Sequence, residues 1–141
     1  MRLNWILRIV LLGLVAASMV SCGGIETASV DPLDGTSWLL TAIEGRDPLP
    51  GTTITALFED GTIHGSSGCN NYGASYKTDA DQIEISEIES TLMGCTEPEG
   101  AMDQEQMVTK LLGDSEAFLI ANGQLRLLIS GKEALAFVAR N

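Results

Sequence analysis

Apolar and polar residues alternate from Gln82 to Ile85, a period of two that reads as a strand. Ile83 and Ile85 share one face, with Gln82, Glu84 and Glu89 outside. Ile88 falls out of phase with Ile85, which predicts a bulge or bend near Ser86 and Glu87. Similar short runs recur along the chain. Ser37 to Ile43 is aromatic and β-branched and reads as the first strand, with Trp38 as a core plug. Glu44 to Thr53 holds Gly45, Pro48, Pro50 and Gly51 and reads as a loop. Ile54 to Phe58 and Thr62 to Gly65 form a hairpin about Glu59-Asp60-Gly61. Ser75 to Lys77 is a short strand, followed by a turn over Thr78 to Asp81. Ala117 to Ala121, Leu125 to Ile129 and Ala134 to Val138 close the chain. They are joined at Asn122-Gly123, a strong hairpin signal, and at Ser130 to Glu133.

Only Ala101 to Leu112 has a helical stripe, through Ala101, Met102, Met107, Val108, Leu111 and Leu112. Glu97, Glu99 and Asp103 crowd its start, where the helix dipole favours acids. Lys110 lies near its end and Gly113 is a natural stop. Many short strands in hairpin order with one helix imply a mainly β, α+β domain. Its antiparallel sheet curls over the helix or closes towards a barrel. About 110 residues suffice to bury one core.

The stretch His64 to Tyr76 does not follow the strand pattern. Gly65, Gly68 and Gly73 stand where β-branched residues would, and glycine inside a strand pattern marks a bulge, a bend or close backbone approach. The same stretch contains the single histidine, both tyrosines and Cys69.

The N-terminus reads as processed. Arg2 and Arg8 precede an apolar run from Ile9 to Val20, about a dozen residues where a membrane span needs roughly twenty. Met19-Val20-Ser21-Cys22 resembles a bacterial lipobox, so residues 1–21 are expected to be a lipoprotein signal peptide and Cys22 the lipidated N-terminus. The alternatives are a plain signal peptide and an uncleaved anchor. Two or three acyl chains anchor stably where one does not. Residues 22–31 then read as a flexible tether and 32–141 as the folded domain. Gly23 follows Cys22, where aspartate would signal inner-membrane retention in enteric-type bacteria. The expected location is the cell envelope, on the outer membrane facing the periplasm in a diderm host.

The whole chain carries eight basic and nineteen acidic residues; without residues 1–21, which include Arg2 and Arg8 and no acid, its formal charge is −13. Such a domain repels phosphate, so nucleic acid is excluded as a partner. It also repels anionic lipid, which leaves the N-terminal lipid as its contact with the membrane. The expected partners are an envelope protein or a small ligand, and the expected state is a monomer.

With Cys22 lipidated, Cys69 and Cys95 are left in an oxidising compartment and are expected to pair. Two free buried thiols and a metal pair are the alternatives. No cysteine or histidine cluster lies nearby to complete a zinc site, so no metal and no cofactor are expected.

Cys69 and His64 could be drawn as a nucleophile and its base, but a structural turn with His64 at a solvent-facing strand position is the simpler reading, and no catalytic residue is assigned. Asn70 and Asn71 tolerate left-handed backbone and cap their own turn. Tyr72 packs inward with its hydroxyl on a loop. With Glu105 these three are the candidate binding residues. Glu105 is otherwise expected to be solvated on the helix, with a contact to the turn stretch as the alternative. Met93, Met102 and Met107 read as core filler.

Several of these runs together resemble the META domain family, typified by the heat-inducible bacterial lipoprotein HslJ. They are Gly35-Thr36-Ser37-Trp38, the run from Phe58 to Tyr72 with Ser67-Gly68-Cys69-Asn70-Asn71-Tyr72 at its centre, Thr91-Leu92-Met93-Gly94-Cys95, and Glu105 ahead of Leu111. They occur in the family's order over about residues 31 to 140. Gly73 follows Tyr72 directly, where the family often has one residue between. The resemblance implies an antiparallel, partly closed β-barrel of about eight strands with one helix. It also implies an envelope location and roles in heat response or antibiotic tolerance, and no catalytic mechanism. The functional expectation is a non-enzymatic envelope lipoprotein that acts as an interaction module. A carrier of a small apolar or peptide-like ligand in a barrel mouth is the alternative, and a thiol-dependent enzyme at Cys69 a remote one.

Overall fold

A computed structural model describes residues 30–140. The signal peptide, Cys22 and nearly all of the tether therefore lie outside the described residues. Eight strands and one helix follow in the order β1 (Thr36–Ile43), β2 (Thr55–Glu59), β3 (Thr62–Ser66), β4 (Asn71–Asp79), β5 (Gln82–Ser90), α1 (Ala101–Gly113), β6 (Ala117–Ala121), β7 (Gln124–Ile129) and β8 (Lys132–Ala139). Each strand pairs antiparallel with the next, and β8 pairs back onto β1, so the barrel is closed. One seam is thin: β5 meets β6 only at Gln82 opposite Ala117.

The turns do what their residues dictate. Asp60-Gly61, Asn122-Gly123 and Ser130-Gly131 have positive φ at both positions, the geometry whose twist suits a two-residue hairpin. Glu44-Gly45 makes another such turn inside the segment expected to be loop, with Ile43 and Arg46 exchanging backbone bonds of 2.8 and 2.9 Å. The bulge in β5 falls where the phase break puts it. Ser86 faces Ser75 and Glu89 faces Gly73, so Glu87 and Ile88 together oppose Ala74. Glu87 takes φ 57° there.

β4 is longer than expected. It starts at Asn71 rather than Ser75, because Tyr72 and Gly73 pair with Gly65 and His64 on one side and with Ser90 and Glu89 on the other. Most of the stretch from His64 to Tyr76 is therefore ladder.

Inward-facing residues fill the barrel: Phe58, Ile63, Leu125, Leu127, Leu135 and Phe137 are each at most 1% exposed. Trp38 is buried as expected, and its indole N–H donates to Thr36 Oγ1 at 2.7 Å. α1 lowers Val108 and Leu112 into one end of this core. Leu33 closes against it near β2, where Gly35 N–H donates to Phe58 O at 2.8 Å. Asp31, assigned to the tether from sequence, is tied into the fold. Its carboxylate accepts from Leu33 N–H at 3.0 Å and from the Tyr76 hydroxyl at 2.6 Å.

Tyr72 and Tyr76 are both buried, and both hydroxyls have their proton affinity raised. Desolvation does this for Tyr72. For Tyr76 desolvation leads, followed by the bond to Asp31 and that carboxylate's charge. A pKa raised on folding leaves stability intact below the unfolded value of 10.0 and erodes it above, where only the unfolded chain has lost its protons. In urea unfolding the contribution of these two tyrosines is therefore expected to be level up to about pH 10 and to fall by up to about 1.4 kcal/mol per pH unit for each tyrosine beyond it. The double variant Tyr72→Phe/Tyr76→Phe flattens that limb. A wild-type limb with no slope would remove the assignment.

Candidate functional site

At the end of the barrel that α1 enters, three segments meet: the β1–β2 loop, the β3–β4 turn and the stretch from Thr91 to Gly100. The helix period puts residues 101, 104, 105, 108, 111 and 112 on one face, and all six are buried. Two of the six are polar. Gln104 accepts from Leu49 N–H at 2.6 Å and donates to Thr52 Oγ1 at 3.0 Å, which fixes the β1–β2 loop. Glu105 accepts from Asn70 N–H at 2.8 Å and from Asn70 Nδ2 at 3.0 Å.

Asn70 is 1% exposed and uses every polar group it has. Its amide donates to Glu105 and, at 3.1 Å, to Met93 O. Its Oδ1 accepts from Met93 N–H at 2.7 Å and from Thr91 Oγ1 at 2.8 Å. Its carbonyl accepts from Ser67 N–H at 2.8 Å and Ser67 Oγ at 2.9 Å, which closes the turn. The Asn70 side chain thus treats Met93 as a neighbouring strand would, exchanging bonds with its N–H and C=O.

The expectation that both asparagines relax left-handed backbone is corrected here. Gly68 carries that conformation, at φ 109°, and neither asparagine does. Asn71 is exposed and works through its backbone, accepting from Thr91 N–H at 3.0 Å and donating to Thr91 Oγ1 at 3.1 Å. Tyr72 turns its ring inward and donates its hydroxyl to Thr55 O at 3.0 Å. Glu105 is not solvated; the contact with the turn is what the structure shows. Met93 and Met107 are 56% and 42% exposed, so they are not core filler. Gln104 was not anticipated. The helix period alone points to it, because positions 104 and 105 complete the face that Ala101, Val108, Leu111 and Leu112 begin.

Cys69 and Cys95 form a disulfide across a sequence separation of 26. It ties the β3–β4 turn to the segment that leads into α1. Closing a loop of that length in the unfolded chain is worth about 3 kcal/mol in the chain-entropy model. The Cys69→Ser/Cys95→Ser domain is expected to unfold at correspondingly lower urea with a native far-ultraviolet spectrum. A midpoint unchanged from wild type would show that the bridge restrains nothing.

A shallow depression of about 900 Å³ lies over β3, β4 and β5, lined by His64, Gly73, Glu87 and Glu89 among others. His64 is exposed. Glu87 accepts from Ser75 Oγ at 3.2 Å. Among the described residues no group of three or more histidine, cysteine or acidic side chains is placed to hold a metal ion. No described helix is long and apolar enough to cross a membrane.

Three solved structures share the architecture. A protein from Burkholderia xenovorans, solved by NMR, is 23% identical; the match covers 77% of this chain and 84% of that one, with a TM-score of 0.64. A second NMR structure is 18% identical over 75% of this chain and 90% of its own, at a TM-score of 0.61. A crystal structure of a DUF4847 family protein from Bacteroides vulgatus is 14% identical, over 78% of this chain and 95% of its own, at 0.54. At these identities the likeness is one of fold. No curated protein matches the chain. The model of the META domain matches residues 31–141, the whole of the barrel and helix just described. The chain belongs to the META domain family.

Proposed function

We propose that this META-domain protein is a non-enzymatic lipoprotein of the cell envelope, held on the outer membrane through Cys22, whose domain is an interaction module serving stress tolerance. The observation that carries the reading is the lock at Asn70. A buried carboxyl fixes the buried Asn70 amide, and that amide and a disulfide hold one short segment, Thr91 to Cys95, exposed from Thr91 to Gly94. Ordering costs about 1–2 kcal/mol per residue, and a segment that has already met that cost binds a partner without meeting it again. The thiol-enzyme alternative needs a thiolate at Cys69, and that sulfur is bonded to Cys95. The carrier alternative places a ligand in a barrel mouth, and α1 packs Val108 and Leu112 into the core there instead of leaving space at its own end.

Two measurements on intact cells test the reading. Cys22→Ser is expected to move the protein from the membrane to the soluble fraction; retention in the membrane would refute the anchor. Amine-reactive crosslinking of the wild-type protein is expected to give discrete, reproducible adducts, and recovery of the bare monomer alone would refute the module.

A further inference from the structure

We infer that Leu92 is the anchor of a docking surface for a protein partner that offers an apolar pocket rimmed by lysine and arginine. The inference rests on the interaction-module reading and adds the chemistry of the partner.

The first observation is geometric. Thr91 and Met93 are both bonded to Asn70, the one through its hydroxyl and the other through its backbone. Leu92 lies between these two bonded residues, and its own side chain is 97% exposed. Met93 beside it is 56% exposed. Single exposed leucines are ordinary on loops. This one differs because the chain is pinned on both flanks: Thr91 by its hydroxyl on Asn70 and its N–H on Asn71 O, Met93 by its backbone on Asn70, and Cys95 by the disulfide. No described contact explains the pinning as a way to bury Leu92.

The second observation is electrostatic and concerns a different set of residues. From Thr78 to Thr109 the chain has nine acidic residues and no lysine or arginine. Glu87 and Glu89 precede the Leu92 segment on β5, and Glu97, Glu99 and Asp103 follow it. All five are exposed, and none is in an ion pair; the three described ion pairs lie at Glu44, Asp114 and Glu133. An apolar side chain between uncompensated carboxylates fits a basic rim around an apolar pocket, which steers approach and rejects acidic surfaces.

A membrane surface fits less well. Anionic headgroups repel these carboxylates. The chain also enters the fold at Asp31, bonded to Tyr76, four residues along β4 from Tyr72, which faces Ser90 beside the Leu92 segment.

The test uses the full-length protein in its own cells, with a photoreactive side chain placed singly at position 92, 119 or 124. Leu119 on β6 and Gln124 on β7 are exposed controls away from the Leu92 segment. The crosslinked peptide is identified by mass spectrometry, and the partner so found is purified. Its affinity is then measured for the wild-type domain, Leu92→Ser, and Glu89→Gln/Glu97→Gln/Glu99→Gln, at low and physiological salt. The inference expects an adduct from position 92 on a lysine- or arginine-rich peptide. It expects Leu92→Ser to weaken binding about tenfold or more, as loss of one buried leucine should. Wild-type affinity should fall with salt, and the triple glutamine variant should blunt that fall. Leu92→Ser should keep the wild-type melting temperature. Adducts from 119 or 124 alone would overturn the inference and leave the module reading standing. So would an adduct from 92 on lipid or on an acidic peptide, or binding indifferent to salt and to Leu92. No protein adduct from any position would overturn both.

Discussion

Gly65→Ala is expected to destabilise the domain by about 3 kcal/mol or more, a large part of the 5–15 kcal/mol that holds a typical domain folded. A methyl group built at Gly65 would stand 2.0 Å from Thr55 O and 2.7 Å from Thr55 C. Both are backbone atoms, so no side chain can swing aside and β2 must move away from β3. The same carbonyl accepts the Tyr72 hydroxyl, and Tyr72 pairs with Gly65 across the ladder. One methyl therefore disturbs two strands and a buried tyrosine. The melting temperature should fall by more than about 10 °C. Gly73→Ala is the control on the next strand. A methyl there meets nothing within 4 Å. It is expected to be neutral or to stabilise by about 0.5 kcal/mol, since glycine inside a strand carries an entropy penalty. Equal effects at the two positions would show that composition, rather than close approach, matters in this stretch.

Asn70→Ala is expected to cost about 3 kcal/mol, against less than about 0.5 kcal/mol for Asn71→Ala. The two residues are adjacent and identical, and they differ in what they touch. Asn71 has an exposed side chain and keeps its backbone bonds as alanine. Asn70 as alanine loses the amide that satisfies Glu105, Thr91 and Met93, and leaves a buried carboxyl with one donor, its own backbone N–H. A double-mutant cycle with Glu105→Ala should return a coupling of at least about 1 kcal/mol. Additive losses would mean that Asn70 and Glu105 act separately. The Asn70 lock and the disulfide hold the same segment, so their removals should not add either.

The chain's periodicity made its elements legible. Alternation from Gln82 to Ile85 and the slip at Ile88 located β5 and its bulge, and the asparagine- and glycine-bearing turns located the hairpins. Those signals survive in a bare sequence because they report local backbone sterics and which face is wet. The candidate site was half legible. Its residue types were noticed, and most of their roles were misassigned. Asn70, Asn71 and Glu105 are short polar residues whose usual places are turns and solvated helix faces, and only burial separates the first and last from the middle one. Met107 looks like core by composition and lies outside because polar Gln104 and Glu105 took inward positions of α1, while Met93 lies on the exposed segment ahead of the helix.

By itself, then, the sequence determined an antiparallel β domain with one helix and the pairing partners available to its cysteines. Local propensity and a period of two are enough for that. Tertiary structure decided the rest: closure of β8 onto β1, Gly65 as a point of close approach, and Asn70 as the centre of a buried lock as well as a turn residue. Each of these depends on which residues distant along the chain become neighbours, such as Asn70 and Glu105, 35 positions apart. No local pattern encodes that distance, and the cost of leaving a buried polar group unpaired is what enforces it.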